Sequence, residues 1–171
     1  SPSKGKVLGA QIVGQKGVDK RIDVLATAIR AEMTVFDLEE LELAYAPPYS
    51  SAKDPVNIAG YVASNILKGD VDPAYYHELD ELKKQGAVLL DVRTKWELKY
   101  VGQVPGAVHM PIDGFRERIG GELDKENLHV CICAVGYRGY LAHRILVQNG
   151  FKSKNLSGGF GIFGPAMKEE L

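Results

Sequence analysis

Cysteine is scarce. The 171 residues hold two, Cys131 and Cys133, with one residue between them. Two thiols this close found no disulfide framework, and strand geometry would strain a direct bridge. A reducing, cytoplasmic setting is expected. No sign of charge dominates either: 21 Lys and Arg stand against 22 Asp and Glu, a net charge of −1. Without a basic block, nucleic acid is not an expected partner. No apolar run approaches the roughly 18 residues of a membrane span, and no apolar segment of signal-peptide type follows the polar start. Neither the four histidines nor the cysteines form paired ligand clusters, so no metal site is expected. What remains is a 45% hydrophobic chain able to bury a real core.

One stretch organises the rest: Cys131-Ile132-Cys133-Ala134-Val135-Gly136-Tyr137-Arg138-Gly139-Tyr140. Residues 128–133 form a short apolar run with Val and Ile, which predicts a buried strand. Leu141, Ile145 and Leu146 have helical spacing, and Asn149-Gly150 is a helix stop. A six-residue turn, Cys133 to Arg138, joins the two. It places a thiol at the carboxyl end of a strand, beside the amino end of a helix. Free amides at a helix start carry partial positive charge, and a thiol there ionises more readily than a free one. Arg138 adds a fixed charge. Gly136 lets the turn bend with its amides inward, as an anion nest requires. The plainer alternative is a buried structural cysteine.

Cys-Ala-Val-Gly-Tyr-Arg resembles the active-site loop of the rhodanese-homology sulfurtransferases. The related phosphatases have a loop one residue longer, suited to a tetrahedral phosphate. The shorter loop suits one extra sulfur on the cysteine, so loop length disfavours phosphatase action here. The resemblance implies Cys133 and Arg138 as catalytic residues, with Ala134, Val135, Gly136 and Tyr137 forming the loop that binds donor and persulfide.

The first part of the chain has its own pattern. Residues 1–6 are mostly polar and read as an added or cut end. Residues 6–15 alternate apolar with small or polar residues, which predicts a strand. Ile22, Leu25, Ile29 and Met33 share one helical face. Thr34 and Asp37 resemble a capping box opening a second helix through Leu43. Tyr45-Ala46-Pro47-Pro48-Tyr49 must run extended, because each Pro restrains its predecessor. Asp54-Pro55 is an N-cap and N1 pair. It opens a third helix whose expected apolar stripe is Val56, Ala59, Ala63, Ile66 and Leu67.

The segments Gly-Ala-Gln-Ile-Val-Gly (9–14), Gly-Val-Asp-Lys-Arg-Ile-Asp (17–23), Leu-Ala-Tyr-Ala-Pro-Pro-Tyr (43–49) and Ala-Lys-Asp-Pro-Val-Asn (52–57) resemble a second family. They are similar to the C-terminal dimerisation domain of flavin disulfide reductases, in the branch of coenzyme A disulfide reductases, NADH oxidases and polysulfide reductases. Some members of that branch carry a rhodanese domain in the order seen here. The flavin domain, the nicotinamide domain and the reductase's own redox cysteine are absent, so a C-terminal piece of a longer reductase is expected. The resemblance implies no cofactor within this chain, but FAD, NAD(P)H and coenzyme A for the full-length parent. It also implies a homodimer, with Tyr45, and less strongly Tyr49, reaching the partner subunit's coenzyme A site. The alternative is that both rings pack the turn and support a dimer contact.

Residues 68–72 are polar and Gly-bearing, a linker. Two domains are therefore expected: 1–70, the small α+β dimerisation piece, and 71–171, an α/β rhodanese-like domain with a central parallel sheet. In the second, Asp72-Pro73 is expected to cap a helix carrying Tyr76, Leu79 and Leu82. Residues 87–92 form a continuous apolar strand of the parallel, doubly covered kind. Helical turns are expected over 95–100 and 115–119, and a last strand over 154–156. Gly102 to Pro111 matches the family's next motif, with Gln103 where His is usual. Leu156-Ser157-Gly158-Gly159 matches its closing turn, with Phe163 in place of the usual Trp.

Other constellations carry less. Gly159-Phe160-Gly161-Ile162-Phe163-Gly164 fits a dinucleotide fingerprint, but only seven residues follow, too few for the helix, strand and acid it needs. Asp91, Arg93 and Glu97 read as supporting ion pairs or loop braces. Cys131 should pack beneath the loop, with a resolving thiol as its alternative role. His109 reads as a satisfied structural histidine and His143 as a packed or solvated one. The expected activity is transfer of sulfane sulfur from thiosulfate, a polysulfide or a persulfide to Cys133 and on to a thiol. A non-catalytic docking or regulatory module is the alternative.

Overall fold

A computed structural model describes residues 1–169. The chain divides into two compact units, Ser1–Asp70 and Val71–Leu171.

The first unit contains α1 (Val18–Arg30), α2 (Val35–Glu40) and α3 (Pro55–Leu67). Thr34 caps α2 reciprocally: Asp37 N–H donates to Thr34 Oγ1 at 3.3 Å, and Thr34 N–H to Asp37 Oδ2 at 2.6 Å. Such a cap contributes about 1 kcal/mol. Asp54 caps α3 through Val56 N–H and receives a two-point ion pair from Arg21 of α1. The helix stripe expected on α3 is corrected by the structure. Its buried residues are Val56, Asn57, Gly60 and Ser64. Ile58, Val62, Ile66 and Leu67 are exposed. The reason is close approach. A Cβ on Gly60 would lie 2.8 Å from Glu39 N, so α2 and α3 meet backbone to backbone. Asn57 Nδ2 then donates to the carbonyls of Leu38 and Leu41, at 3.0 and 2.9 Å.

The strand expected over 6–15 is also corrected. Lys6 makes one isolated antiparallel bridge with Thr34. Val7 N–H donates to Met33 O at 2.9 Å, and pairing stops there. Among the described residues of this unit no strand lies alongside 8–15, and Leu8 and Val13 are exposed. Alternation fits a half-covered strand, but a ladder also needs a partner.

The second unit is built on a five-stranded, all-parallel sheet: β1 (Pro73–Ala74), β2 (Val88–Asp91), β3 (Val108–His109), β4 (Leu128–Ile132) and β5 (Lys152–Leu156), in the order β1-β5-β4-β2-β3. The fold is α/β with a central parallel sheet, as expected. Successive residues of β4 feed opposite faces. Cys131 and Cys133 join Leu90, Val92, Phe115 and Leu146 in one core. Val130 and Ile132 join Leu79, Leu89, Leu156 and Phe160 in the other. Each fully buried Leu or Phe contributes roughly 1.5–3 kcal/mol. Connecting helices are α4 (Leu79–Lys84, after a 3₁₀ turn, Tyr76–Glu78), α5 (Lys95–Tyr100), α6 (Phe115–Glu122), α7 (Tyr137–Gln148) and α8 (Gly159–Glu169).

Asp72-Pro73 does not cap a helix. Pro73 starts the edge strand β1, a position where its missing N–H costs no ladder bond. Asp72 instead accepts from Asn155 N–H and pairs with Lys154. Among the described residues no helix is long and apolar enough to cross a membrane.

Candidate active site at the turn between β4 and α7

The turn is shaped from both sides. Cys133 follows the last residue of β4, and Gly136 precedes α7 with φ +108°. Gly136 N–H donates to Cys133 Sγ at 3.1 Å. The first bond to a helix carbonyl runs from Tyr140 N–H to Gly136 O, 2.9 Å. The amides of Tyr137, Arg138 and Gly139 therefore have no acceptor within the helix and lend positive potential to the same turn.

The opposite side is held by α8. Phe160 N–H donates to Cys133 O at 2.7 Å, and Gly161 N–H to Ala134 O at 2.8 Å. In a trans peptide the N–H points opposite to the C=O. Fixing those two carbonyls on α8 turns the amides of Ala134 and Val135 the other way. Gly159 permits this approach: a Cβ there would lie 2.4 Å from Cys133 O and 2.9 Å from Val135 N. The G-x-G-x-x-G run thus begins a helix that packs on the thiol's own turn. These contacts escaped the sequence reading, although the closing Gly158-Gly159 motif was their signal.

Two arginine–carboxylate pairs lie at the carboxyl end of the sheet. Asp91 and Arg93 are each 1% exposed. Arg93 Nε donates to Asp91 Oδ1 at 2.9 Å and Nη2 to Oδ2 at 2.6 Å, with a further bond to Gly102 O. The guanidinium lies 4.0 Å from the centre of the Phe160 ring. His109 Nε2 meets Arg93 O at 2.8 Å. This pair braces the framework and ties β2 to α8.

The second pair joins α7 to α5. Arg138 Nη1 and Nη2 donate to Glu97 Oε2 and Oε1, at 2.7 and 2.5 Å. Thr94 N–H and Oγ1 each donate to Glu97 Oε2 at 2.9 Å. The hydrogen bonds from Arg138 hold the Glu97 carboxyl down at about 2, against the opposing effect of burial. Arg138 is raised in turn, by Glu97 first and by the nearby Cys133 and Asp91 after it.

Residues 76–163 match the family described as Rhodanese-like domain. The chain belongs to that family. Residues 1–55 match Pyridine nucleotide-disulphide oxidoreductase, dimerisation domain. Among curated relatives, the coenzyme A disulfide reductase of Staphylococcus haemolyticus is 55% identical over 60 residues, 35% of this chain and 14% of that protein. Among solved structures, reduced CoADR-RHD of Bacillus anthracis is 49% identical with a TM-score of 0.87, over 91% of this chain and 28% of that one. An NAD-dependent persulfide reductase from A. fulgidus is 42% identical with a TM-score of 0.74, over 86% of this chain and 26% of that one. The chain spans about a seventh of the curated relatives it matches and about a quarter of these two solved chains.

Within the rhodanese-like unit, the thiol sits deeper than the sequence suggests. Cys133 is 1% exposed, at the base of the turn, while Val135 and Tyr137 stand out at its rim, 73% and 68% exposed. Arg138 has its two terminal nitrogens on Glu97. Cys131 lies in the same core as Cys133, with Sγ 3.6 Å from Ser153 Oγ, and burial pushes its thiol up to about 12. His143 is buried on α7. In the first unit, Tyr45 and Tyr49 are exposed. Among the described residues the first unit has no parallel sheet to carry a dinucleotide-binding turn, and the glycine run of α8 is packed on the Cys133 turn. A groove of about 770 Å³, lined by Gln103, Pro105, Phe160, Phe163 and Met167 among others, contains no residue of the 133–138 turn.

Proposed function

We propose that residues 71–171 act as a sulfurtransferase. The Cys133 thiolate attacks the outer sulfur of a sulfane donor such as thiosulfate, a polysulfide or a persulfide. The donor's S–S bond breaks, its remainder leaves with the electron pair, and a Cys133 persulfide forms. A thiol acceptor then takes the outer sulfur. The observation that carries this reading is the Gly136 amide donating to Cys133 Sγ within a turn whose other face is fixed by α8. Amides aimed at the sulfur stabilise negative charge where it develops. Arg138, the last residue of the turn, holds it to α5 through Glu97.

By the same reading the chain is the C-terminal part of a coenzyme A-dependent disulfide or persulfide reductase that uses FAD and NAD(P)H. Residues 1–70 serve its dimer contact, and Tyr45 and Tyr49 meet coenzyme A of the partner subunit. The likeness to the reductases named above supports this. A second reading, a non-catalytic docking or regulatory module, is favoured by one observation, the 1% exposure of Cys133.

Mass spectrometry separates the two. After mixing with a sulfane donor, the peptide carrying Cys133 should gain about 32 Da, one sulfur atom. Cys133→Ser should lose both the adduct and turnover. An unmodified peptide with every donor would favour the docking module, and full turnover in the serine variant would overturn the assignment of Cys133.

A further inference from the structure

We infer that Glu97 is a specificity-determining positioning residue: by holding the Arg138 guanidinium in a two-point pair, it leaves the residues of the turn itself, 133–138, without an uncompensated cation and selects weakly charged sulfur donors over sulfo-anions. The inference rests on the sulfurtransferase reading.

Three observations carry it. First, the pair is held at several points. Both terminal nitrogens of Arg138 are engaged, and the same carboxylate is held by Thr94 N–H and Oγ1. A bidentate fork of this kind is among the stronger and more directional polar contacts. Its members are 27% and 18% exposed, so solvent screens them only in part. Second, the arginine buried at this end of the sheet gives no free charge. Arg93 is buried, matched by Asp91, and occupied by Gly102 O and the Phe160 ring. Third, the exposed rim side chains of the turn, Val135 and Tyr137, carry no charge. Among the turn's own residues, 133–138, an incoming donor therefore meets backbone amides and uncharged side chains, with the Glu97 carboxylate paired to Arg138 behind them.

Amides supply partial charges, enough for one sulfur anion. Thiosulfate brings two negative charges and, lacking a free guanidinium, meets a carboxylate as well. A hydropersulfide, R–S–SH, brings at most one. Its transfer balances without any further reagent: the Cys133 thiolate bonds to the outer sulfur, the S–S bond between the two donor sulfurs breaks, and R–S⁻ leaves while the hydrogen stays on the transferred atom. One S–S bond is lost and one gained, so no oxidant or reductant enters.

The test compares the whole chain with Glu97→Gln and Glu97→Asp, using thiosulfate and benzyl hydropersulfide as donors and cyanide as acceptor. Glu97→Gln should lower the KM for thiosulfate relative to that for the hydropersulfide by roughly tenfold, the range one partly screened charge pair supplies. Glu97→Asp, which keeps the charge, should restore the wild-type ratio. An unchanged ratio in Glu97→Gln, or equal losses with both donors, would overturn the proposal. A second measurement needs no variant. With Arg138 neutralised, the wild-type KM for thiosulfate should stay flat or fall as salt rises; a steep rise would mean a free cation and overturn it. If the wild type forms no Cys133 persulfide from either donor, the sulfurtransferase reading fails instead.

Discussion

The two units solve burial in opposite ways. In the first, α3 turns Asn57, Gly60 and Ser64 inward and leaves Ile58, Val62 and Ile66 on the surface. In the second, the sheet is apolar on both faces and each face is covered. Both units also bury an arginine–carboxylate pair, Arg21–Asp54 in one and Arg93–Asp91 in the other, but the second pair is sealed from water. Hydrophobic content alone does not say which side of a helix faces in. Close backbone contact can require small and polar residues at the interface, and the apolar stripe then falls outside.

The largest test of this contrast is Arg93→Ala. It strands the Asp91 carboxylate in a site 1% exposed, which should cost about 3–5 kcal/mol. Trp96, the single tryptophan, lies in the second unit, so its fluorescence during urea unfolding reports that unit. A loss below about 1 kcal/mol, the range of surface pairs, would mean that water reaches the pair. Next is Gly60→Ala in the first unit. Its Cβ would meet Glu39 N at 2.8 Å and force α2 and α3 apart, costing about 1–3 kcal/mol. Circular dichroism should record the loss while the Trp96 transition stays in place; a shift in Trp96 would erase the distinction between units. The smallest effect is expected in acid. The folded-state pKa of Glu97, about 2, lies below its ordinary 4.5. The stability it contributes is complete above 4.5 and is lost as pH falls towards 2, because the unfolded chain takes up the proton first. Between those values the Trp96 midpoint should fall further in the wild type than in Glu97→Gln, and added salt should narrow the gap.

Much of the second unit was legible in the residues. Period-two burial of β4, the stop at Asn149-Gly150, and the Gly136 bend before α7 are local rules that the packed unit obeys. In the first unit, so are the capping box at Thr34 and the N-cap at Asp54. What escaped depended on partners distant in sequence. The 6–15 alternation was a strand only on paper, since pairing stops after Val7. Asp72-Pro73 has the chemistry of a helix cap, yet β5 offered it an edge to pair with. The Glu97–Arg138 fork spans 41 positions, and no spacing rule reaches that far.

The grip of α8 on the carbonyls of Cys133 and Ala134 has a consequence for biosynthesis. Cys133 is translated more than twenty residues before the amides of Phe160 and Gly161 that orient its turn. A nascent chain halted ahead of Gly158 would carry the thiol without its shaped cradle. The shape of the turn therefore arrives late, with α8.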